Sequence, residues 1–221
     1  GFTWTPTISS LQCKRLCYRL DFGGRWGLHS EMKALVYTKT QQSEIRDVEL
    51  PIVSDGQSVI EIEFCGICGS DMHAWHGHDE RRIPPLVLGH EAVGLATSGP
   101  HKGKRVSINP LMTCGQCSVC ISGNEHLCPD RELIGMRVPG AFAEQVVINN
   151  NNLIQISDNL SSANAALAEP LACAVNAVNK AVRHTGETDA RIVVLGGGAI
   201  GLLAAFVFSN YGYNNIQIAE S

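Results

Sequence analysis

Residues 191–220 constrain the fold of this chain more than any other segment. They open with Arg-Ile-Val-Val-Leu, an apolar and largely β-branched run that is typical of a strand buried on both faces. A glycine-rich turn follows, then an apolar helix through about Tyr211, and then a second short strand, Ile-Gln-Ile-Ala. A strand, a helix and a parallel strand form one βαβ unit, which buries its faces only within a larger sheet. We therefore expect the start of an α/β domain whose partner strands are missing from this sequence.

The glycine turn has the spacing of a dinucleotide-binding loop. Glycines stand at Gly196, Gly198 and Gly201, and Glu220 follows about 20 residues later, at the end of the second strand. Glycines let the backbone approach a pyrophosphate at a helix N-terminus, and an acidic residue accepts hydrogen bonds from ribose hydroxyls while repelling a 2′-phosphate. The pattern predicts that NAD, rather than NADP, is the cofactor. The predicted binding residues are Gly196, Gly198, Ala199, Ile200, Gly201 and Glu220. The alternative is a turn that serves packing only.

Short, alternating strands broken by Gly, Pro and Asn dominate the preceding part of the chain. Residues 32–37 and 58–64 are the clearest of these strands, and the punctuation favours a compact, largely antiparallel β-barrel. Residues 161–183, rich in Ala, Leu and Val, predict a helix that is interrupted or restarted at Pro170. Residues 1–31 sustain neither a helical nor a strand period, and we interpret Met32 as the natural start.

These patterns predict three divisions of the chain. Residues 1–31 are a non-native or disordered extension, residues 32–160 are a β-barrel domain with a cysteine-rich lobe at about 110–130, and residues 161–221 are a linking helix and the first βαβ unit of an incomplete α/β domain.

Four of the nine cysteines form a metal-ligand pattern: Cys114, Cys117, Cys120 and Cys128. Four thiolates at such short spacing close a tetrahedral shell around zinc and leave no open position, which makes a structural site. Free or disulfide-bonded cysteines are the alternative. We expect no export signal, and thiolates in a reducing compartment bind metal rather than pair.

A second zinc site is predicted from separate segments. Cys68 and His90 are the best candidate ligands, and Glu91 or Glu169 could complete the shell. Asp71 is placed to orient an imidazole. Taken singly, Cys68 could be a small buried apolar residue and His90 a core histidine, but together they favour a metal.

Ser70 and His73 are spaced to form a proton path beside that site. A metal-bound alcohol must lose its proton before hydride leaves, and a hydroxyl that passes the proton to an imidazole near the surface performs this step. The predicted catalytic residues are therefore Ser70, Asp71 and His73. A solvated His73 is the alternative.

Charge and hydropathy exclude several classes of partner. The net charge is −4, so we expect no nucleic-acid partner, and no apolar run approaches the roughly 20 residues that span a bilayer, so we expect no membrane partner. The first residues contain no continuous signal-peptide core. We predict a cytoplasmic protein.

Together these motifs make the chain similar to the zinc-dependent medium-chain dehydrogenase/reductase family. The resemblance runs from Met32 to the end. Its motifs are Gly66-Ile67-Cys68-Gly69-Ser70-Asp71, Gly89-His90-Glu91, the four-cysteine lobe, Glu169-Pro170-Leu171 and the glycine loop. The resemblance implies a GroES-like β-barrel catalytic domain followed by the start of a Rossmann domain, with the catalytic zinc on Cys68 and His90.

Two acidic residues indicate which branch of the family the chain resembles. Glu91 matches the third zinc ligand of the polyol and threonine dehydrogenase branches, and Glu169 matches the residue that touches the zinc or its water. The resemblance implies zinc- and NAD-dependent oxidation of a polyol, sugar alcohol or sugar acid by a homodimer or homotetramer. An L-threonine 3-dehydrogenase-like or simple alcohol dehydrogenase is the alternative, and a non-catalytic zinc-binding module is the rival from another class. We expect the given length of chain to bind NAD poorly and to be inactive alone.

Overall fold

The computed structural model of the chain describes residues 17–18, 31–185 and 188–220. These residues form two compact units, one from Cys17 to Ala166 and the other starting at Leu167. The predicted extension over residues 1–31 lies outside the described residues, except for Cys17, Tyr18 and Glu31.

The first unit is an antiparallel β-barrel. Its largest sheet contains β1 (Cys17–Tyr18), β4 (Gln57–Gly66), β6 (Glu91–Ala96), β7 (Arg105–Ile108), β10 (Gln145–Asn149) and β11 (Leu153–Gln155). The strand order is β1-β4-β6-β7-β11, and β10 pairs with β4. A second sheet has the order β3-β2-β5 and consists of β2 (Glu31–Lys39), β3 (Gln42–Glu49) and β5 (Leu86–Val87). The strands predicted over residues 32–37 and 58–64 are thus confirmed as parts of β2 and β4.

Alternation of side chains builds the barrel core. Ala34 and Val36 of β2 point inward together with Ile60 of β4, and Ile108 and Ile148 close the same apolar cluster from β7 and β10. A period of two along a strand sends alternate side chains to one face, so the alternating pattern of the sequence becomes a continuous core.

Short elements decorate the barrel and carry most of the candidate ligands. They are α1 (Gly69–Trp75), β8 (Leu111–Met112), α2 (Ser118–Ile121), a 3-10 turn (Glu125–Leu127), β9 (Glu132–Leu133), a second 3-10 turn (Asn150–Asn152) and α3 (Ser162–Ala165). Strands β8 and β9 pair with each other and frame the predicted cysteine lobe.

The second unit is the start of a Rossmann-type domain. It contains α4 (Ala168–Thr185), β12 (Ile192–Leu195), α5 (Ala199–Asn210) and β13 (Ile216–Ala219), and β12 pairs with β13 in parallel. Pro170 lies in the first turn of α4, where proline is tolerated, and the predicted interruption is the gap between α3 and α4.

Only one face of β12 is covered by the described residues. Ile192 packs with Val178 and Leu203 of the two helices, whereas the side chains of Val193 and Leu195 are 51% and 82% exposed. No helix in the described ranges is long and apolar enough to cross a bilayer.

Candidate functional site

Strand pairing brings Cys68, His90 and Glu91 together. Cys68 follows β4 directly, and Glu91 begins β6, which pairs with β4 so that Gly66 lies opposite Glu91. One ligand atom from each of the three residues lies within 4.8 Å of the others. Zinc bonds of 2.0–2.3 Å place neighbouring ligand atoms about 3.3–3.8 Å apart in a tetrahedron, so a small adjustment would close the shell. The thiolate, imidazole and carboxylate of this group fit a zinc ion.

The buried carboxylate of Asp71 contacts both segments that carry the candidate metal ligands. Its Oδ2 accepts a hydrogen bond from the backbone N–H of Cys68 at 3.0 Å, and its Oδ1 accepts one from the N–H of Gly89 at 3.3 Å. The Oδ1 atom also lies 3.4 Å from Nδ1 of His90, which is long for a hydrogen bond. The carboxylate therefore turns Nδ1 toward itself and leaves Nε2 of His90 for a metal.

The electrostatics of this group favour a cation. Burial lowers the pKa of His90, but the contacts with the Asp71 carboxylate and the Cys68 thiol outweigh it and raise the pKa to about 10. The raised pKa of His90 indicates that negative charge from Asp71 and Cys68 surrounds the imidazole. A divalent metal supplies positive charge at the same place, where the proton would otherwise sit.

Gly66 provides the space that the Glu91 side chain occupies. A Cβ atom at position 66 would overlap Oε2 of Glu91 and approach its Cβ and Cδ atoms to 3.2 and 3.3 Å. Because the two residues are paired across the sheet, only a residue without a side chain lets the carboxylate lie over this strand.

Glu169, the other candidate for the third position, lies in the first turn of α4 and thus in the second unit. That Glu169 binds the catalytic zinc stays a prediction.

Ser70 and His73 share a polar pocket of about 490 Å³, whose other lining residues are His78, Asp79, Glu80 and Arg81. Both residues lie on α1, and the pocket opens to solvent beside the exposed imidazole of His73. A hydroxyl and an imidazole on one water-accessible wall have the arrangement that a proton path needs.

Arg82 is a residue of this site that the sequence did not single out. It is only 3% exposed, and its Nη2 donates a hydrogen bond to Oγ of Ser70 at 3.3 Å. Its Nε donates to the carbonyl of Gly135 at 2.9 Å, and Nη1 donates to the carboxylate of Asp79. The run Glu80-Arg81-Arg82 looks like a solvated charged surface, so no local signal separates Arg82 from Arg81.

The four cysteines of the lobe converge on one point. The Sγ atoms of Cys117 and Cys120 are 3.4 Å apart, those of Cys114 and Cys128 are 3.6 Å apart, and the Cys114–Cys120 and Cys117–Cys128 pairs are at 3.9 and 4.0 Å. A zinc–sulfur bond of about 2.3 Å gives tetrahedral edges of about 3.8 Å, whereas a disulfide bond is about 2.05 Å long. This geometry fits a zinc ion and no disulfide.

Backbone amides favour the thiolate form of Cys114, whereas burial raises the pKa of Cys120 to about 12. The N–H of Cys117 donates to Sγ of Cys114, and the N–H of Cys120 donates to Sγ of Cys117, both at 3.4 Å. Amides of Gln116 and Cys117 lower the pKa of Cys114 to about 7. A thiol that ionises near neutral pH is ready to bind metal.

The glycine loop lies between β12 and α5, and its acidic partner reaches it. Gly196 has a φ of +97°, a conformation that favours glycine, and a Cβ atom at Gly201 would overlap the carbonyl oxygen of Gly196. Ala199 and Ile200 form the start of α5. The carboxylate of Glu220 accepts a hydrogen bond from the N–H of Gly197. The structure thus brings these predicted cofactor residues into one place.

Comparison with known proteins agrees with this arrangement. Residues 54–158 match the model of the alcohol dehydrogenase GroES-like domain. An uncharacterized zinc-type alcohol dehydrogenase-like protein of Haemophilus influenzae is 34% identical over 192 residues, which cover 84% of this chain and 55% of the relative.

Two other relatives have named activities. The L-threonine 3-dehydrogenase of Pectobacterium atrosepticum is 35% identical, with 86% of this chain and 54% of the relative covered. The sorbitol dehydrogenase of Halalkalibacterium halodurans is also 35% identical, with 82% and 54% covered. This chain thus spans about half the length of these relatives.

A solved structure has the same fold. An alcohol dehydrogenase (rspB) of E. coli CFT073, crystallised with NADH, superimposes with a TM-score of 0.77 at 29% identity. The match covers 86% of this chain and 57% of that one.

Proposed function

Because this chain belongs to the zinc-dependent medium-chain dehydrogenase/reductase family, we propose that the whole protein oxidises a secondary alcohol to a ketone. The hydride passes to NAD and the hydroxyl proton passes to solvent. The observation that carries this proposal is the convergence of Cys68, His90 and Glu91. Helix α1, which begins directly after Cys68, carries Ser70 and His73 of the polar pocket.

Cys68, His90 and Glu91 would hold the catalytic zinc, with Glu169 as the alternative third ligand. Zinc bound there would act as a Lewis acid that lowers the pKa of the substrate hydroxyl. The four cysteines of the lobe would hold a structural zinc, and Asp71 would keep Cys68 and His90 in position.

Ser70 would take the substrate proton and pass it toward His73. Its Oγ already accepts a hydrogen bond from Arg82, so one lone pair remains for the substrate proton and the hydroxyl hydrogen stays free to be donated. Because a guanidinium does not lose its proton, Arg82 can only donate to Oγ of Ser70, and the hydroxyl of Ser70 has to donate its own hydrogen elsewhere. His73 would release the proton through the shared pocket.

NAD would bind at the loop from Gly196 to Gly201. Glu220, which accepts from Gly197 N–H, would instead accept from the ribose hydroxyls when the cofactor is present. Its charge opposes a 2′-phosphate, which supports NAD over NADP.

A polyol, sugar alcohol or sugar acid is the proposed substrate class, supported by the carboxylate at Glu91 and by the sorbitol dehydrogenase relative. The threonine dehydrogenase relative keeps an L-threonine-type reaction as the alternative. The cytoplasmic location and the homodimeric or homotetrameric assembly stay predictions.

The test uses the full-length protein loaded with zinc. NADH formation is followed with NAD and a panel of polyols, sugar acids, L-threonine and simple alcohols. We expect reduction of NAD by a polyol or sugar acid, loss of activity in Cys68→Ala, and retained activity in the matched control Cys65→Ala, since Cys65 is a buried thiol outside the ligand group.

Metal analysis separates the enzyme from a non-catalytic zinc module. We expect about two zinc ions per subunit, and one after Cys68→Ala. A single ion that Cys68→Ala does not change, with no turnover of any alcohol, would support the module.

A further inference from the structure

A group of imidazoles lies outside both candidate zinc sites. His73, His76 and His78 line one open pocket of about 320 Å³ together with Gly69 and Met72. His73 and His76 lie one helical turn apart at the end of α1, and His78 follows the turn at Gly77. We propose that these three residues, the histidine cluster, bind one additional transition-metal ion of the nickel, copper or zinc type.

The tautomer of His76 is already that of a metal ligand. Its Nδ1 lies 2.8 Å from the backbone carbonyl oxygen of Met72. Since a carbonyl oxygen only accepts, Nδ1 must carry the hydrogen, and Nε2 keeps its lone pair for a metal. Metal-binding histidines usually donate their other ring N–H to such a carbonyl.

The separations between the rings suit a shared ion. The ring centres of His73 and His78 are 6.2 Å apart, and those of His76 and His78 are 5.8 Å apart. Two imidazoles bound to one metal through bonds of about 2.1 Å have ring centres about 5–6 Å apart. His73 and His78 thus need to approach slightly, and the ring of His78, now stacked at 22° on that of His76, needs to turn.

Closure of the cluster needs ring rotation only. Within the described ranges, only the groups at Cys68 and Cys114 have ligand atoms that already lie within 4.8 Å of one another. His73 and His78 therefore have to turn toward Nε2 of His76, whose ring stays on the carbonyl of Met72. All three side chains are exposed, and exposed side chains change rotamer in picoseconds to nanoseconds. The ring of His76 contacts Trp75 edge-on and can keep its place while His73 and His78 turn.

The surroundings tolerate a cation. The neighbouring guanidinium of Arg81 is paired with Asp79 at 2.8 Å, and Glu80 lies on the adjoining pocket wall with His73 and His78. The carboxyl end of a helix favours positive charge, and His76 lies at that end of α1. Neutral imidazoles select nickel, copper and zinc over magnesium and calcium.

A metal ion bound to the histidine cluster would also affect the dehydrogenation, an effect that rests on the proposed function. His73 borders both this pocket and the pocket that it shares with Ser70. An ion on His73 takes the lone pair that would receive the proton, so excess metal inhibits turnover.

Nickel binding tests the site without any assay of activity. The zinc-loaded full-length protein is titrated with Ni²⁺ by calorimetry, and its zinc content is measured before and after. We expect one Ni²⁺ per chain with no zinc displaced, and affinity reduced by roughly tenfold or more in His76→Asn and in His78→Asn. His184→Asn, which changes an exposed histidine of α4, is the matched control and should bind as the unchanged protein does.

Equal affinity in the unchanged protein and in the His76→Asn, His78→Asn double variant would overturn the proposal, as would a loss of the same size in the control. Inhibition is a separate readout. If an alcohol is turned over, Ni²⁺ should inhibit the unchanged protein and spare the double variant. If no alcohol is turned over, the proposed function fails while the calorimetry still decides the site.

Discussion

The carboxylate of Asp71 accepts a hydrogen bond from the backbone of Cys68 and lies 3.4 Å from Nδ1 of His90. One side chain therefore positions two ligands, Cys68 and His90, that are 22 residues apart in the sequence. At 2% exposure it does so away from water, where its charge acts strongly on both.

Asp71→Asn should release the catalytic zinc while the lobe keeps its own. The amide removes the negative charge and cannot accept at both ends, so we expect zinc affinity at Cys68 to fall by about ten- to a hundredfold. Competition with a chromogenic chelator measures it. Asp47→Asn, at an exposed salt bridge to Lys33, is the control. Unchanged affinity in Asp71→Asn would contradict the assigned role.

Gly66→Ala should separate the two candidates for the third ligand. The new methyl group overlaps the Glu91 carboxylate, so zinc should be lost if Glu91 binds it and kept if Glu169 does. We expect loss, with Glu91→Gln weakening zinc more than Glu169→Gln. Gly69→Ala is the control, because its added Cβ meets no atom within 4 Å. Zinc counts on the purified variants give the answer.

Arg82→Met should lower kcat by roughly ten- to a hundredfold in the full-length protein, because Ser70 loses the donor that orients its hydroxyl. The buried hydrogen bonds that are lost should also cost about 2 kcal/mol of unfolding free energy. Arg81→Met, at an exposed neighbour, should change neither.

The readout specific to the proton step in Arg82→Met is the solvent deuterium isotope effect on kcat, which should rise. An unchanged isotope effect with a lowered melting temperature would mean that Arg82 only stabilises the fold.

Cys120→Ser should remove the structural zinc and leave the catalytic one. Three thiolates close the shell less well, and the lobe framed by β8 and β9 should lose its protection from proteolysis. Cys173→Ser changes an exposed cysteine of α4 and serves as the control. Retention of two zinc ions by Cys120→Ser would show that the lobe does not hold metal through all four thiolates.

Glu220→Ala should shift the cofactor preference of the full-length protein toward NADP. Loss of the carboxylate removes both the acceptor for the ribose hydroxyls and the repulsion of a 2′-phosphate, so the ratio of NAD to NADP affinity should fall by about tenfold or more. Fluorescence titration with the two reduced cofactors measures the ratio, with Asp189→Asn as an exposed control. An unchanged ratio would mean that residues other than Glu220 set the preference for NAD over NADP.

Local sequence was enough to predict the parts of the molecule whose geometry is set over short spacings. The four cysteines lie within 15 residues, counting 114 through 128, and the glycine loop joins a strand to a helix directly. Chain geometry over such spans leaves few arrangements, so ligand type and spacing predict the structure.

The tertiary structure decided what depends on pairing and burial between remote segments. The β4–β6 register places Gly66 under Glu91. Arg82 is buried and donates to the carbonyl of Gly135, while Arg81 stays exposed. Neither follows from residue type, because register and burial are set by the whole core at once. The sequence by itself therefore determined which ligands were available, and the fold determined which of them meet.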